Sequence, residues 1–503
     1  MKSRPIPAAL IFLLFAAFVF EAGAQDFGFG FTDGEEESAG SSAGVSGASS
    51  GSFPISVKLG GKIKGELNAF FDDLNTFEEF RKSKAGDIFS GALNFSASGS
   101  NADGVISLDL KAGAAPLSIN EAYLRVFFGP ANIEAGLRKL TWGKADSFGP
   151  LDVVNPLDYS DLSRITDVMA VKIARPMVHG AVSTGSSSKL EAVFLPGFEG
   201  HRFASSGRWF PSILGSGVAS AFAKDYYSNP LYLSNPLFVS GRDLIKNRLE
   251  SADLSGYGGF AVMPKTDTFE YMQAGLRFTT TMGPADLGVQ YFFGNLFRPS
   301  CSFEGINTFF GDLLAVVPSN PRYTGNLSLL RPRVEYNRYH QLGADYARVI
   351  AGFNVRMELA AHITSDLAGE AGWVRNPFIG WSAGFDRDLA WGISVNLQCN
   401  ETVRLFRDKN NNPAIDVEGG RPPTFTRLTL ILSRKFLRDD LELKFTGIFD
   451  PEDRDLYLIP SVVLTFGEVT ADFSAGIFAG RDGGELSQYR NNGYIKTALS
   501  YTF

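Results

Sequence analysis

The link at residues 141–167 carries charged side chains at short intervals, so its side chains can act on a solute through electrostatic interactions. The charged candidates are Lys144, Asp146, Asp152, Asp158, Asp161 and Arg164. Gly149-Pro150 and Asn155-Pro156 stiffen this link. In a hollow barrel, a link folded into the interior would narrow the channel and place net negative charge at the narrowest point. Low-dielectric walls focus the field of such charges, which then attract cations. The alternative is an outward loop with solvated charges; Trp142 and Val153-Val154, which need burial, favour the inward arrangement.

Further charged side chains alternate with apolar ones along two extended segments. The candidates are Arg356, Glu358 and His362 in 351–364, and Glu121 and Arg125 in 120–129. Because alternate residues of a strand share a face, each set is expected on one wall of a sheet. Such side chains can bind a solute or satisfy one another across strands. The pattern favours mutual satisfaction.

The sequence lacks the patterns of common catalytic and metal sites. The four histidines show no HExxH or other metal spacing, and neither a G-x-S-x-G nor a GxxxxGK[ST] motif is present. We therefore predict no enzyme, no cofactor and no metal, although barrel hydrolases built from Ser, His and carboxylates stay open. The stretch Asp408 to Pro413 resembles a calcium loop, but Pro413 replaces the expected Gly and Glu418 falls one residue short, which favours a plain polar loop.

In the segments that position these residues, apolar and polar side chains alternate with a period of two residues. From Ile55 to Phe71, apolar or small residues alternate with polar ones, giving two distinct faces. This run is longer than a usual soluble strand and long enough for a tilted strand in a bilayer. Eighteen such runs are predicted (sixteen is the alternative), near 55–71, 87–99, 104–112, 120–129, 132–140, 168–176, 188–196, 268–281, 284–294, 332–346, 351–364, 373–387, 389–403, 424–435, 440–450, 456–466, 469–479 and 493–503.

The connections between these runs alternate in length. Tight turns are predicted at 101–104, 129–130, 282–284, 386–388 and 467–468. Longer links are predicted near 72–86, 141–167, 197–267, 295–330, 404–423 and 480–492. Short turns on one side and long loops on the other are typical of a transmembrane antiparallel β-barrel, with the long loops outside the cell. The predicted fold class is therefore all-β.

The segment 493–503 ends this pattern with apolar residues at every second position and a terminal aromatic. It resembles the last strand of bacterial outer-membrane β-barrels. The resemblance implies that Phe503, Tyr501 and Leu499 are read by the barrel-assembly machinery. It also implies outer-membrane lipid as the surroundings and a closed barrel without free edges.

The first residues predict export. Lys2 and Arg4, an apolar stretch and Ala22-Gly23-Ala24 form a cleavable signal over 1–24. Residues 25–53 are Gly/Ser-rich, which predicts a flexible periplasmic tail, with binding of a periplasmic partner as the alternative. The barrel is assigned to 54–503.

Composition agrees with an exported barrel. A hydrophobic content of 44% is too low for a helical membrane protein, and a net charge of −7 argues against a nucleic-acid partner. Cys301 and Cys399 are expected to stay unpaired, although an oxidising compartment would allow a disulfide.

Residues 120–162 carry a second likeness. After two strands joined at Gly129-Pro130 come Trp142-Gly143-Lys144-Ala145-Asp146 and Leu151-Asp152-Val153-Val154-Asn155-Pro156-Leu157-Asp158. With shorter segments at 194–209 and 275–294, this resembles a family of large outer-membrane barrels of mostly unassigned function, with motif kinship to alginate-export-type porins.

That resemblance implies a porin-like channel for small solutes. Three alternatives stay open: a conduit for hydrophobic or lipid-like compounds that works with a periplasmic partner, a surface adhesin that uses the long 197–267 link, and the barrel hydrolase.

Overall fold

The computed structural model describes residues 55–71, 88–111, 117–211, 263–302, 333–409, 422–481 and 484–503, with scattered positions between 305 and 319. The predicted signal segment 1–24 and the tail 25–53 lie outside the described residues. Of the stretch that resembles a calcium loop, Asp408 to Pro413, residues 410–413 also lie outside them, as does Glu418.

Eighteen strands build the barrel in the described part of the chain. In chain order they are β1 Ser56–Phe70, β2 Phe89–Ser98, β3 Ala102–Lys111, β4 Leu117–Phe128, β5 Ala131–Arg138, β6 Arg175–Ser183, β7 Ser188–Leu195, β8 Gln273–Met282, β9 Ala285–Asn295, β10 Arg338–Ile350, β11 Phe353–Thr364, β12 Phe378–Leu389, β13 Ile393–Arg404, β14 Thr424–Phe436, β15 Leu441–Asp450, β16 Asp455–Phe466, β17 Val469–Ala479 and β18 Tyr494–Thr502.

Each strand pairs antiparallel with its neighbours in sequence, and the sheet closes on itself. The closing pair is β1 with β18, where Lys62 lies opposite Thr502 and Phe70 lies opposite Tyr494. Closure leaves no sheet edge, so every strand satisfies its backbone hydrogen bonds inside the barrel. The predicted fold class is confirmed, and the count is 18 rather than 16.

The predicted alternation of connection lengths is also found. Tight turns occur at 129–130, 283–284 and 467–468, as predicted. Two predicted turns are displaced: residues 102–104 already belong to β3, and 386–388 still belong to β12, whose turn follows at 390–392. Strand pairing extends over the polar residues at these ends because backbone bonds do not depend on side-chain polarity.

The predicted strand at 168–176 is wrong. Val168–Val171 forms a single helical turn, and the Asp167 side chain caps it by accepting from Ala170 N at 2.9 Å. The strand itself, β6, begins at Arg175. A short apolar run of this kind does not distinguish a strand from a helical turn by periodicity alone.

The two faces of the wall differ as the alternation predicts. On β11, Met357 and Leu359 point outward with 49% and 56% of their surface exposed, whereas Glu358 and Ala360 point into the barrel at 4% and 0%. Ala360 is completely buried, so the interior is filled rather than open at this level. Pro150 of the 139–174 connection covers it, since a Cβ on neighbouring Gly380 would meet Pro150 Cβ at 2.9 Å.

The last strand keeps the predicted faces. Leu499 and Tyr501 are exposed on the outer surface by 59% and 47%, whereas Lys496 and Ser500 are buried on the inner one. Phe503 continues the closing seam, because its N–H donates to Gly61 O at 3.0 Å and its carbonyl accepts from Gly61 N at 2.9 Å. Cys399 is a free thiol. Among the described residues, no helix combines the length and the apolar character needed to cross a membrane.

Candidate functional site

The connection between β5 and β6, residues 139–174 (the inner loop), lies inside the barrel. Its backbone converges on Glu358 of β11, which lies six strands further around the wall. Ala145 N donates to Glu358 Oε1 at 2.7 Å, Lys144 N donates to the same oxygen, and Leu151 N donates to Oε2 at 3.2 Å. One wall carboxylate therefore satisfies three loop N–H groups. These are the charge-assisted bonds that stabilise most strongly.

Three glutamines of the inner wall continue this anchoring. Gln290 Nε2 donates to Leu151 O at 2.9 Å, and Gln341 Nε2 donates to Pro150 O at 2.7 Å. Gln398 accepts from Ser147 N at 3.0 Å and donates to Ser147 O at 2.6 Å. The three side chains are at most 5% exposed. They supply hydrogen-bond partners for the backbone groups of the inner loop, which have no neighbouring strand to bond to.

Apolar side chains fix the first half of the inner loop against the wall. Trp142 is 2% exposed and meets Phe292 edge to face, with ring centroids 6.3 Å apart. Two wall glycines make room for the loop. A Cβ on Gly275 would lie 2.6 Å from Trp142 Cη2, and one on Gly343 would collide with Leu151.

The second half of the inner loop reaches another sector of the wall. Leu162 and Ile165 pack in a buried cluster with Tyr457 and Tyr494, which belong to β16 and β18. Tyr457 Oη donates to Leu162 O at 3.2 Å. Because the first half contacts β8 to β13 and the second half contacts β15 to β18, the loop crosses the barrel.

Asn155 joins the two ends of the inner loop. Its Nδ2 donates to Arg138 O at 3.0 Å and to Ile173 O at 2.8 Å, and its Oδ1 accepts from Leu140 N at 2.7 Å. This buried amide explains the Asn of the Asn155-Pro156 pair. It holds the chain where it enters and leaves the lumen.

Two of the charged candidates, Lys144 and Asp146, bind charged groups of the wall. Lys144 Nζ lies 3.5 Å from Asp286 Oδ2 on β9. Asp146 pairs with Arg356 of β11 and accepts from Asn396 Nδ2 at 2.8 Å. The loop charges at this level are thus compensated by charges of opposite sign.

Asp152 is mostly covered, with 11% of its side chain exposed, rather than directed into an open channel. Its Oδ2 lies 2.8 Å from Nζ of Lys172, whose side chain is 0% exposed. Burial raises the pKa of Asp152, while the Lys172 ammonium opposes that shift. The expectation that Asp152 adds free negative charge to a constriction therefore fails, because Lys172 neutralises it.

The remaining candidates bind within the loop or to its neighbours. Asp158 accepts from Ser160 N at 2.9 Å and lies 3.3 Å from Arg202. Asp161 caps a 3-10 turn by accepting from Ser163 N at 2.9 Å, and Arg164 Nη2 donates to Ala170 O at 3.4 Å. These charged side chains therefore stabilise the local fold of the loop, Asp161 by capping a turn.

Arg356, Glu358 and His362 lie on the inner face of β11, opposite to the exposed Met357 and Leu359; that they line a solute path stays a prediction. Arg356 also pairs with Asp386 on the adjacent strand β12, which is the mutual satisfaction that the sequence favours. His362 stacks on Phe378 at 4.2 Å and contacts Gln341 through Nε2 at 3.1 Å. Glu358, by contrast, serves the loop backbone.

The other two wall candidates, Glu121 and Arg125, lie near the start of the inner loop. Glu121 Oε1 accepts from Lys139 N at 2.8 Å, and Arg125 Nε lies 2.5 Å from Glu134 Oε1. All five wall candidates therefore have partners.

Sequence reasoning did not single out the glutamines Gln290, Gln341 and Gln398. The available signal is their placement, because each is an amide at an inward-facing position of a strand. Long polar side chains on a wall that a loop must approach can bond both to N–H and to C=O groups.

At the loop end of the barrel, His201 supports the inner loop. Its Nδ1 accepts from Leu157 N at 2.9 Å, and burial lowers the pKa of His201 to about 3. The imidazole is therefore neutral and able to accept this bond. Arg298, close by, pairs with Glu485 at 2.5 Å.

Within the described residues, no group of three or more His, Cys, Asp and Glu side chains is arranged to hold a metal ion. The polar groups around the inner loop are instead engaged in holding backbone in place. The arrangement is that of a fixed obstruction in a polar lumen.

No family model and no curated protein matches the sequence. The resemblance to alginate-export-type porins therefore stays a prediction. Among solved structures, similar barrels include Wzi of Escherichia coli, an outer-membrane protein of group 1 capsule assembly described as carbohydrate-binding (11% identity, 88% of this chain and 84% of that chain, TM-score 0.42).

Two other similar structures come from Acinetobacter baumannii and Pseudomonas aeruginosa. They are the channel DcaP of Acinetobacter baumannii (10% identity, 89% of this chain and 97% of that chain, TM-score 0.40) and OccK9 of Pseudomonas aeruginosa (9%, 89% and 98%, TM-score 0.44). Similarity at this level assigns neither a family nor a function to the chain.

Proposed function

We propose that this chain is an outer-membrane, porin-like channel for small solutes, narrowed by the inner loop. The observation that carries the proposal is a closed barrel of 18 strands whose polar lumen is crossed by the inner loop. Backbone groups of this loop are hydrogen-bonded to side chains of the wall. A barrel of this strand number is too wide for side chains alone to fill, unlike one with eight strands. In the proposed channel, the inner loop restricts the width of the path that solutes take.

The outer surface supports a bilayer as the surroundings. Leu276, Val289, Leu342 and Leu359 expose between 53% and 56% of their surface, all on outward positions of neighbouring strands. An exposed apolar patch of this extent is costly in water and favourable in lipid. Location in the outer membrane, assembly by the barrel-assembly machinery and recognition of Phe503, Tyr501 and Leu499 belong to the same proposal.

The lumen supports water-soluble rather than lipid-like solutes. Charged side chains stay partly exposed at inward positions of the wall: Arg125, Lys189 and Asp286 expose 30%, 49% and 46% of their side-chain surface. A conduit for hydrophobic compounds would expose apolar side chains there. The adhesin alternative rests on the 197–267 link, of which 212–262 lie outside the described residues.

Charge selectivity is not proposed to come from the loop acids alone. Asp146 and Asp152 face Arg356 and Lys172, so their charge is compensated at short range. Selectivity then depends on lumen residues that the loop leaves exposed to water.

Conductance in planar bilayers tests the proposal. We expect the purified, refolded protein to form ion-conducting channels, and removal of Ser147 to Ser160 to raise the single-channel conductance because the removed residues cross the lumen. Circular dichroism and heat-dependent gel mobility would verify that the shortened protein still forms a barrel. A folded barrel that conducts no ions, with or without the loop, would refute the channel.

A further inference from the structure

A recess lies in the inner wall below the start of the inner loop. It has a volume of about 390 Å³ and is formed by β4, β5, β6 and β7 together with Leu140 and Thr141. Its charged lining consists of Arg125, Arg138, Lys139, Lys189, Glu134 and Glu191. Volumes of this size are typical of small-molecule sites.

Cations outnumber carboxylates in this recess. Glu134 contacts Arg125 at 2.5 Å and also pairs with Arg138. Glu191 pairs with Lys189 at 3.2 Å. Two carboxylates are thus shared among three cationic side chains.

Two further groups belong to this charge balance. His179 lies between both acids, with Nδ1 2.9 Å from Glu134 and Nε2 3.3 Å from Glu191, so each acid also contacts the imidazole. Lys139 donates from Nζ to Met169 O at 2.8 Å, while its backbone N–H donates to the Glu121 carboxylate at 2.8 Å. The lining therefore carries four cationic side chains and two carboxylates, with Glu121 as a third carboxylate beside Lys139.

The cations are available to a solute in the lumen. The side chains of Lys189 and Arg125 are 49% and 30% exposed, and their strand positions direct them inward. A guanidinium presents paired N–H donors that match a carboxylate or phosphate. Enclosing walls focus the field of such groups on a bound anion.

One polar atom of the recess lacks a partner. Asn132 Oδ1 is buried and accepts no hydrogen bond from the described residues. A buried acceptor without a donor is unfavourable, and a ligand hydroxyl or N–H would satisfy it. Together with the cation excess, this selects a small organic anion that also carries a donor group.

We propose that this recess binds a small hydroxylated organic anion, with a carboxylate or phosphate held by Arg125 and Lys189. The inference rests on the proposed channel, since the solute must reach the recess through the lumen. It adds a solute-binding site to the proposed passage.

Titration calorimetry with the purified native protein tests the site. Malate and inorganic phosphate serve as probes for the two kinds of anion, and erythritol serves as a neutral polyol of similar size. We expect one of the anions to bind and erythritol not to bind. Because each variant removes a charge-assisted hydrogen bond to the anion, Arg125→Gln and Lys189→Gln should each weaken binding about tenfold or more.

Lys62→Gln is the matched control. Lys62 belongs to the lumen face of β1 and is exposed, but it lies outside the recess, so the same loss of charge should leave binding unchanged. Arg125→Lys, which keeps the charge, should retain more affinity than Arg125→Gln and guards against a folding defect.

The outcomes separate this site from the channel itself. Channels that conduct ions but bind neither anion would overturn the site and leave the channel intact. Equal weakening by Lys62→Gln would also overturn it, because general lumen charge would then explain the binding. A barrel that binds malate without conducting ions would support the site and refute the channel.

Discussion

Replacing Glu358 by glutamine removes the acceptor on which the inner loop converges. The native carboxylate accepts from Lys144 N and Ala145 N through Oε1 and from Leu151 N through Oε2 at 3.2 Å. Glutamine keeps one carbonyl oxygen, which can serve Lys144 and Ala145. Its amide NH2 then faces the Leu151 N–H, donor against donor.

The magnitude follows from the bonds lost. A hydrogen bond to a charged group contributes about 1.5–3 kcal/mol, and at least one such bond is lost in a site where Glu358 is 4% exposed. Since about 1.4 kcal/mol is a factor of ten, the population of barrels with a displaced loop should rise about ten- to hundredfold. In single-channel recordings, we expect Glu358→Gln to spend more time in a state of higher conductance.

Glu442→Gln makes the same chemical change on β15, at a lumen position that the inner loop does not use. It should leave the conductance distribution unchanged. If Glu358→Gln and the native protein show the same distribution of conductance states, then the carboxylate does not hold the loop and the reasoning is refuted.

Three other changes test separate parts of the structure. Phe503→Ser should lower the amount of protein in the outer membrane more than the refolding yield in detergent, because its backbone bonds to Gly61 survive; normal membrane levels would contradict this. Leu359→Arg should cost about 2–4 kcal/mol of stability in vesicle refolding titrations, because the side chain faces lipid; an unaltered free energy of unfolding would show that it does not. Because the pKa of His201 is about 3 in the native loop and 6.5 in a displaced one, the free energy that favours the bonded loop should fall as the pH drops from 6.5 toward 3; conductance should therefore rise on acidification, and a pH response retained in His201→Gln would exclude this residue as its source.

The strands could be predicted because each one meets two different solvents. On β18, Ile495 and Leu499 face outward while Lys496 and Ser500 are buried inside, and this contrast is present in the sequence as a period of two. The strand prediction for 168–176 failed because Val168–Val171 lies in the lumen. There, neither lipid nor sheet pairing requires polar and apolar side chains to alternate.

The path of the inner loop could be predicted only in part. Trp142 and the Val153-Val154 pair indicate burial, and their burial in the structure agrees. The partners do not follow from local sequence, because Glu358 and Gln398 lie more than 200 residues away from the loop groups that they bind. Pairing of Asp152 with Lys172 also depends on how the loop returns to β6.

The seam between β1 and β18 joins residues from opposite ends of the barrel sequence, with Lys62 opposite Thr502. Contacts of such large sequence separation require most of the chain to be ordered before they form, and they slow folding. Until β18 arrives, β1 remains an unpaired edge, which can pair with the wrong strand or with another molecule. The rate at which this last strand is delivered should therefore govern the competition between barrel formation and aggregation.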